Sequence, residues 1–129
     1  MIRYTDSLEG VSADMLQGFF EGWTRPRTPA EHMKILEGSD HIVLAVDADS
    51  GRVVGFVTAL TDGVQAAFIP LLEVLPAYRK QSIGTALVAR MLEKLKAIPA
   101  IDLTCDPELQ PFYTRFGMAP STGMIIRDY

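Results

Sequence analysis

The chain has 129 residues, 48% of them hydrophobic, with 12 Lys and Arg against 16 Asp and Glu, for a net charge of −4. That length suits one domain with an ordinary core, and the acidic balance excludes the broad cationic footprint of a nucleic-acid binder. The single cysteine, Cys105, excludes an intrachain disulfide and a cysteine-rich zinc site, and no apolar run reaches the length of a membrane span.

In chain order, Ile2 to Tyr4 reads as a short first strand. The opening "MIRYTDSLEG" has no cationic-then-apolar signal pattern, so a soluble cytoplasmic protein is expected. From Ser12 to Trp23, the spacing of Met15, Leu16, Phe19 and Phe20 predicts a helix with one apolar face. Pro26 and Pro29 interrupt it. Thr28 then caps a second helix that starts at Pro29 and stops at Gly38. Residues 41 to 75 read as three strands joined by "DSG" and "DG" turns, an antiparallel meander. Within the third, "AAFIPLLEV", Pro70 has no N–H to give a sheet, so it marks either a bulge or an edge. Gln81 to Ala97 is a helix with Ile83, Leu87, Met91 and Leu95 along one face. "IDLTCD" is a short strand, and "PELQPFYTRFG" a helix with Asp106 as cap and Gly117 as stop. A final extended stretch follows, broken near "APSTG". The strand–helix–strand crossover around Gln81–Ala97 makes its two strands parallel.

The start of that helix carries the chemistry. Its first amides have no partner inside the helix and sit at the positive end of the dipole, which suits a phosphate. Arg79 and Lys80 add charge there, and Gly84 leaves room for a bulky ligand.

Several residues around this point are similar to one family. "VLPAYR" (Val74 to Arg79), then Arg79-Lys80-Gln81-Ser82-Ile83-Gly84, and then Phe112-Tyr113 with Gly117 resemble the GNAT superfamily of acetyl-CoA-dependent N-acetyltransferases. That family's pyrophosphate motif is R/Q-x-x-G-x-G/A, and Ser82 replaces its middle glycine. Asp106 stands seven residues before Tyr113, where the family often has asparagine. The likeness covers roughly residues 40 to 120.

The resemblance implies a mixed α/β fold over 1–129, a single N-acetyltransferase-like domain. Its central mixed sheet would have six or seven strands, splayed between the fourth and fifth, with about four flanking helices. It implies acetyl-CoA as co-substrate, no metal, a small primary amine as acceptor and a possible homodimer, with no nucleic-acid or membrane partner. The expected cofactor contacts are Leu72, Val74, Arg79, Lys80, Gln81, Ser82, Ile83, Gly84, Thr85 and Asp106. Leu72 N–H would be the oxyanion donor. Tyr113 would be the general acid, a phenol still protonated at neutral pH; its bland alternative is a core aromatic. Glu73, mid-strand among apolar neighbours, is either the base or a solvent-facing or arginine-paired carboxylate. A base is dispensable if ordered water takes the proton.

Other residues read as structural. Cys105 is a small buried hydrophobe rather than an acyl carrier. His32 and His41 lack metal-ligand spacing and suit surface or cap roles. Trp23, Arg25 and Arg27 lie in "GWTRPRTP", either a stiff surface loop or the rim of an acceptor pocket. A non-catalytic acyl-CoA-binding module of the same fold is the alternative function; it would keep Arg79 to Thr85 without needing Tyr113.

Overall fold

The computed structural model describes residues 1–128. Six strands form one mixed sheet: β1 (Ile2–Thr5), β2 (His41–Asp47), β3 (Val53–Thr61), β4 (Ala66–Phe68), β5 (Leu72–Val74) and β6 (Ala100–Asp102). Three α-helices accompany it, α1 (Pro29–Gly38), α2 (Ile83–Lys94) and α3 (Gln110–Thr114), with three short 3₁₀ turns. Against about four expected helices the described residues form three α-helices, and the sheet has six strands, within the expected six or seven.

The strand order is β1-β2-β3-β4-β6, with β5 also on β3, beyond β4. The pairs β1–β2, β2–β3, β3–β4 and β3–β5 are antiparallel, and β4 with β6 is the one parallel pair among the described residues. The helix α2 crosses between them, as expected for such a connection.

Adjacent residues of β3 serve the two faces of the sheet. Gly55 faces α2, where a Cβ would come within 3.1 Å of Leu87 Cδ1 and 3.3 Å of Ile83 Cγ2. Phe56 faces the other way, its ring 4.3 Å from that of His32 on α1 and 5.2 Å from that of Phe19. The core is therefore two layers: Ile83, Leu87, Met91 and Leu95 below α2, and Leu16, Phe19, Phe20, Leu36 and Phe56 under α1, all buried. Each of these larger side chains contributes roughly 1.5–3 kcal/mol by leaving water.

Helix α1 is built as the sequence indicates. Thr28 Oγ1 accepts from Glu31 N–H at 3.1 Å, Glu31 Oε1 accepts from Thr28 N–H at 3.0 Å, and Pro29 opens the helix. The helix predicted from Ser12 to Trp23 does not form. Only Ala13–Leu16 makes a 3₁₀ turn, and Gly18, Phe20 and Gly22 all have positive φ (92°, 65° and 80°). Each is in the left-handed region, which ends a right-handed helix. The apolar residues still reach the core, as successive turns. The last predicted helix is also split, into a 3₁₀ turn at Pro107–Leu109 and the five residues of α3.

Candidate functional site

The site arises where one long predicted strand breaks in two. In β3–β4, Leu60 pairs with Phe68; in β3–β5, Val57 pairs with Leu72. Two residues of β3, Thr58 and Ala59, therefore face three, Ile69, Pro70 and Leu71. This is a bulge of one extra residue, and it settles the role of Pro70 in favour of a bulge over a plain edge position.

The bulge parts the parallel strands. Ile69 N–H donates to Asp102 O at 3.0 Å, the last bond across that pair. Beyond it β5 continues along β3 and has no pairing with the segment after β6. The splay expected between the fourth and fifth strands thus lies between β5 and β6. Thr58 N–H donates to Leu71 O at 3.1 Å and Leu75 N–H to Val54 O at 2.8 Å. Antiparallel pairing alternates, so Glu73 turns its backbone toward β3 while Leu72 and Val74 turn theirs away, into the gap. Two of the expected contact residues, Leu72 and Val74, thus offer backbone groups there. Arg79 Nε already uses one, donating to Val74 O at 3.1 Å.

The helix start lies close to that gap. Lys80 and Ser82 both have positive φ, 66° and 63°. Left-handed residues in such a turn curl successive amides toward a common point, the geometry of an anion nest. Ser82 in this conformation explains why glycine suits the position, and it delays the helix, which starts at Ile83 rather than at Gln81. Ala86 N–H to Ser82 O, at 3.1 Å, closes the first turn, so the amides of Ile83, Gly84 and Thr85 precede any helical partner. Arg79, Lys80, Gln81 and Ser82 are exposed. Gly84 is less demanding than the sequence suggested: a Cβ there would meet Phe112 Cζ at 3.8 Å and Val74 Cγ2 at 4.0 Å, ordinary contacts.

Those contacts bring α3 against the same place. Tyr113, next to Phe112, is half-buried, and burial, then the neighbouring Cys105, push its phenol above the usual value. It stays protonated at neutral pH. Arg115 belongs to no motif in the sequence. Its Nη2 donates to Thr85 Oγ1 at 3.0 Å, and its guanidinium lies 5.4 Å from the Phe112 ring centre. It is a third cation at the start of α2; its place two residues after Tyr113, at the end of α3, is the available signal. Asp106 is exposed, and it precedes the 3₁₀ turn without the side-chain cap expected of it.

Glu73 lies on the other side of β5. Its two carboxylate oxygens accept from Phe20 N–H at 3.1 and 3.3 Å. Burial pushes its pKa up, against the pull of the Phe20 amide and of Arg79. The carboxylate is half-buried and faces a backbone amide, not open solvent. Trp23 is half exposed with its ring 5.0 Å from that of Phe20. Arg25 and Arg27 are paired with Asp128 and Glu31, at 3.4 and 3.3 Å. His32 overturns the surface reading: it is 1% exposed, and neither ring nitrogen has a hydrogen-bond partner. Among the described residues no three of His, Cys, Asp and Glu cluster as metal ligands, and no helix is long and apolar enough to cross a membrane.

Comparison with known proteins gives three consistent results. A family model described as "Acetyltransferase (GNAT) family" matches residues 8–118. Over 112 residues the chain is 30% identical to the Arabidopsis thaliana protein "GCN5-related N-acetyltransferase 1, chloroplastic"; the match covers 84% of this chain and 57% of that relative. Among solved structures, a candidate acetyltransferase of Deinococcus radiodurans R1 is 44% identical with a TM-score of 0.94, over 98% of this chain and 87% of that one. A GNAT family acetyltransferase of Streptococcus pneumoniae TIGR4 is 29% identical with a TM-score of 0.74, over 99% and 97%.

Proposed function

The chain belongs to the GNAT acetyltransferase family, and we propose that it moves an acetyl group from acetyl-CoA to a primary amine by direct attack. The observation that carries this reading is the gap between β5 and β6, lined by outward backbone groups and set close to a helix start with unpartnered amides. Those amides, with Arg79, Lys80 and Arg115, suit a pyrophosphate. The edge of β5 suits the amides of a pantetheine arm.

Leu72 N–H donates to the oxygen on which negative charge develops, a fixed dipole that needs no reorganisation. Tyr113 gives its proton to the departing thiolate, and its raised pKa keeps that proton available. Glu73, raised by burial, takes the proton of the attacking amine through water. Trp23 and Phe20 form the apolar rim that a small amine passes, next to Glu73. Attack, collapse and protonation balance: the amine loses one proton and the thiolate gains one.

Titration calorimetry with acetyl-CoA, with adenosine as control, tests the first half. Thiol release over a panel of amines tests the second. Replacing Tyr113 by Phe is expected to leave acetyl-CoA binding unchanged and to lower kcat by about 10²–10⁴-fold. Unchanged turnover removes Tyr113 from the mechanism. Saturable binding with no thiol release for any amine favours the acyl-CoA-binding module instead.

A further inference from the structure

The turn that leads into α2 is tied down at a second point, away from the gap. Pro76–Tyr78 is a 3₁₀ turn, and Arg79, Lys80, Gln81 and Ser82 after it are exposed. With Lys80 and Ser82 both left-handed, no regular structure fixes this segment. Its own hydrogen bonds are local. Tyr78 N–H donates to Leu75 O at 2.9 Å, Arg79 N–H to Pro76 O at 3.3 Å and Arg79 Nε to Val74 O at 3.1 Å. From Pro76 to Ser82, one hydrogen bond among the described residues leaves the stretch between Val74 and Ala86. The Tyr78 hydroxyl donates to Asp47 Oδ2 at 2.7 Å, across 31 residues of chain.

Asp47 is a firm anchor at the end of β2. Its N–H donates to Arg52 O at 2.9 Å, its carbonyl accepts from Gly51 N–H at 2.7 Å, and its Oδ1 accepts from Asp49 N–H at 3.0 Å. Both Tyr78 and Asp47 are half-buried, and the Tyr78 ring packs against the core, so a fixed side chain presents the hydroxyl. A hydrogen bond to an ionised carboxylate is about twice as strong as one between neutral groups. This one holds Asp47 below the usual carboxylate range and pushes the Tyr78 phenol up, so it persists across neutral pH. Arg79 is a weaker tie, because it holds Val74 O in the gap itself, where a ligand amide that pairs with that oxygen displaces it.

We propose that Tyr78 and Asp47 are a positioning pair for the phosphate end of the ligand. Neither touches it. Their hydrogen bond fixes the pose of Arg79–Ser82 against the β2–β3 hairpin, and with it the point on which the Ile83, Gly84 and Thr85 amides converge. It is the tie that stays when the ligand displaces Arg79 from Val74 O. This role rests on the acetyl-CoA reading, and the two fail separately.

Tyr78→Phe keeps the ring and removes only the donor. In titration calorimetry it is expected to weaken acetyl-CoA binding by about fivefold to tenfold, while thiol release at saturating acetyl-CoA keeps its kcat. In an Asp47→Ala background, where the acceptor is already gone, the same substitution is expected to cost nothing, because coupled partners do not add. An unchanged Kd for Tyr78→Phe, or an equal loss in both backgrounds, overturns the role while the acetyl-CoA reading stands. No binding by the native chain overturns that reading and the role with it. Should Asp47→Ala fail to fold, amide hydrogen exchange on Tyr78→Phe decides. The hydrogen-bonded amides of Tyr78, Arg79 and Ala86 are expected to exchange about fivefold faster than in the native chain, with β2 and β3 unchanged. Equal rates throughout overturn the proposal.

Discussion

Ser82 and His32 each hold a conformation or environment that their side chains disfavour, and each yields a measurement. A non-glycine residue in the left-handed region costs about 1–2 kcal/mol, part of which glycine gives back as unfolded-chain entropy. Ser82→Gly is therefore expected to raise stability by about 0.5–1 kcal/mol in urea unfolding, with the acetyl-CoA Kd changed by less than about twofold. A weaker Kd would mean that the serine hydroxyl itself binds phosphate. His32 is an imidazole closed into a cage of Phe19, Phe20 and Phe56, and desolvation lowers its pKa to about 4. In the unfolded chain it titrates near 6.5, so between these values the unfolded chain binds more protons. Stability is then complete above about pH 6.5 and falls as pH drops toward 4, by about 3 kcal/mol at most. His32→Leu should flatten that slope in unfolding curves at pH 4.5 and 7.5; an equal slope in both proteins would show that other groups set the acid limit.

At the scale of elements, the extra residue at Pro70 decides whether the strands part. Deleting Pro70 restores a common register between β4 and β5, and a continuous strand there would pair with the segment after β6 and close the gap. Acetyl-CoA affinity is expected to fall by at least about tenfold while the helical circular dichroism signal persists; unchanged affinity would place the cofactor elsewhere. The proline was visible in the sequence because it lacks a donor, and so the break could be read. The Ser12–Trp23 segment could not. Its apolar spacing is helical, yet Glu73 binds the Phe20 amide and Arg52 Nη2 donates to Gln17 O at 3.0 Å. These distant partners hold turns at Gly18 and Gly22 that local periodicity does not reveal. The meander, α1 and α2 were legible because hairpin turns, a capping box and an apolar stripe are all local signals. The turn ahead of α2 was legible too, while the approach of Arg115 to Thr85 was not, since it spans thirty residues of chain.

For the molecule as a whole, net charge and local charge have opposite signs. On the proposed reading, a chain of −4 would repel a phosphorylated ligand at long range, while Arg79, Lys80 and Arg115 would attract it at short range. Salt would screen both, and the proposed close contacts would carry the difference. Affinity for acetyl-CoA is expected to fall by about tenfold between 0.01 M and 1 M salt, over which the Debye length shrinks from about 30 to about 3 Å. A salt-independent Kd would mean that apolar and pantetheine contacts carry the binding. The seat of α2 on Gly55 bears on the same end of the molecule. Ile83 and Leu87 come within 3.3 and 3.1 Å of where a Cβ would stand, so the helix lies on bare backbone at its first turns. A side chain at position 55 would act as a shim under the near end of a beam about 18 Å long. The far end could stay seated while the near end lifts, and it is the near end that carries the unpartnered amides. The alignment of those amides is thus set from beneath, by an atom the sheet lacks.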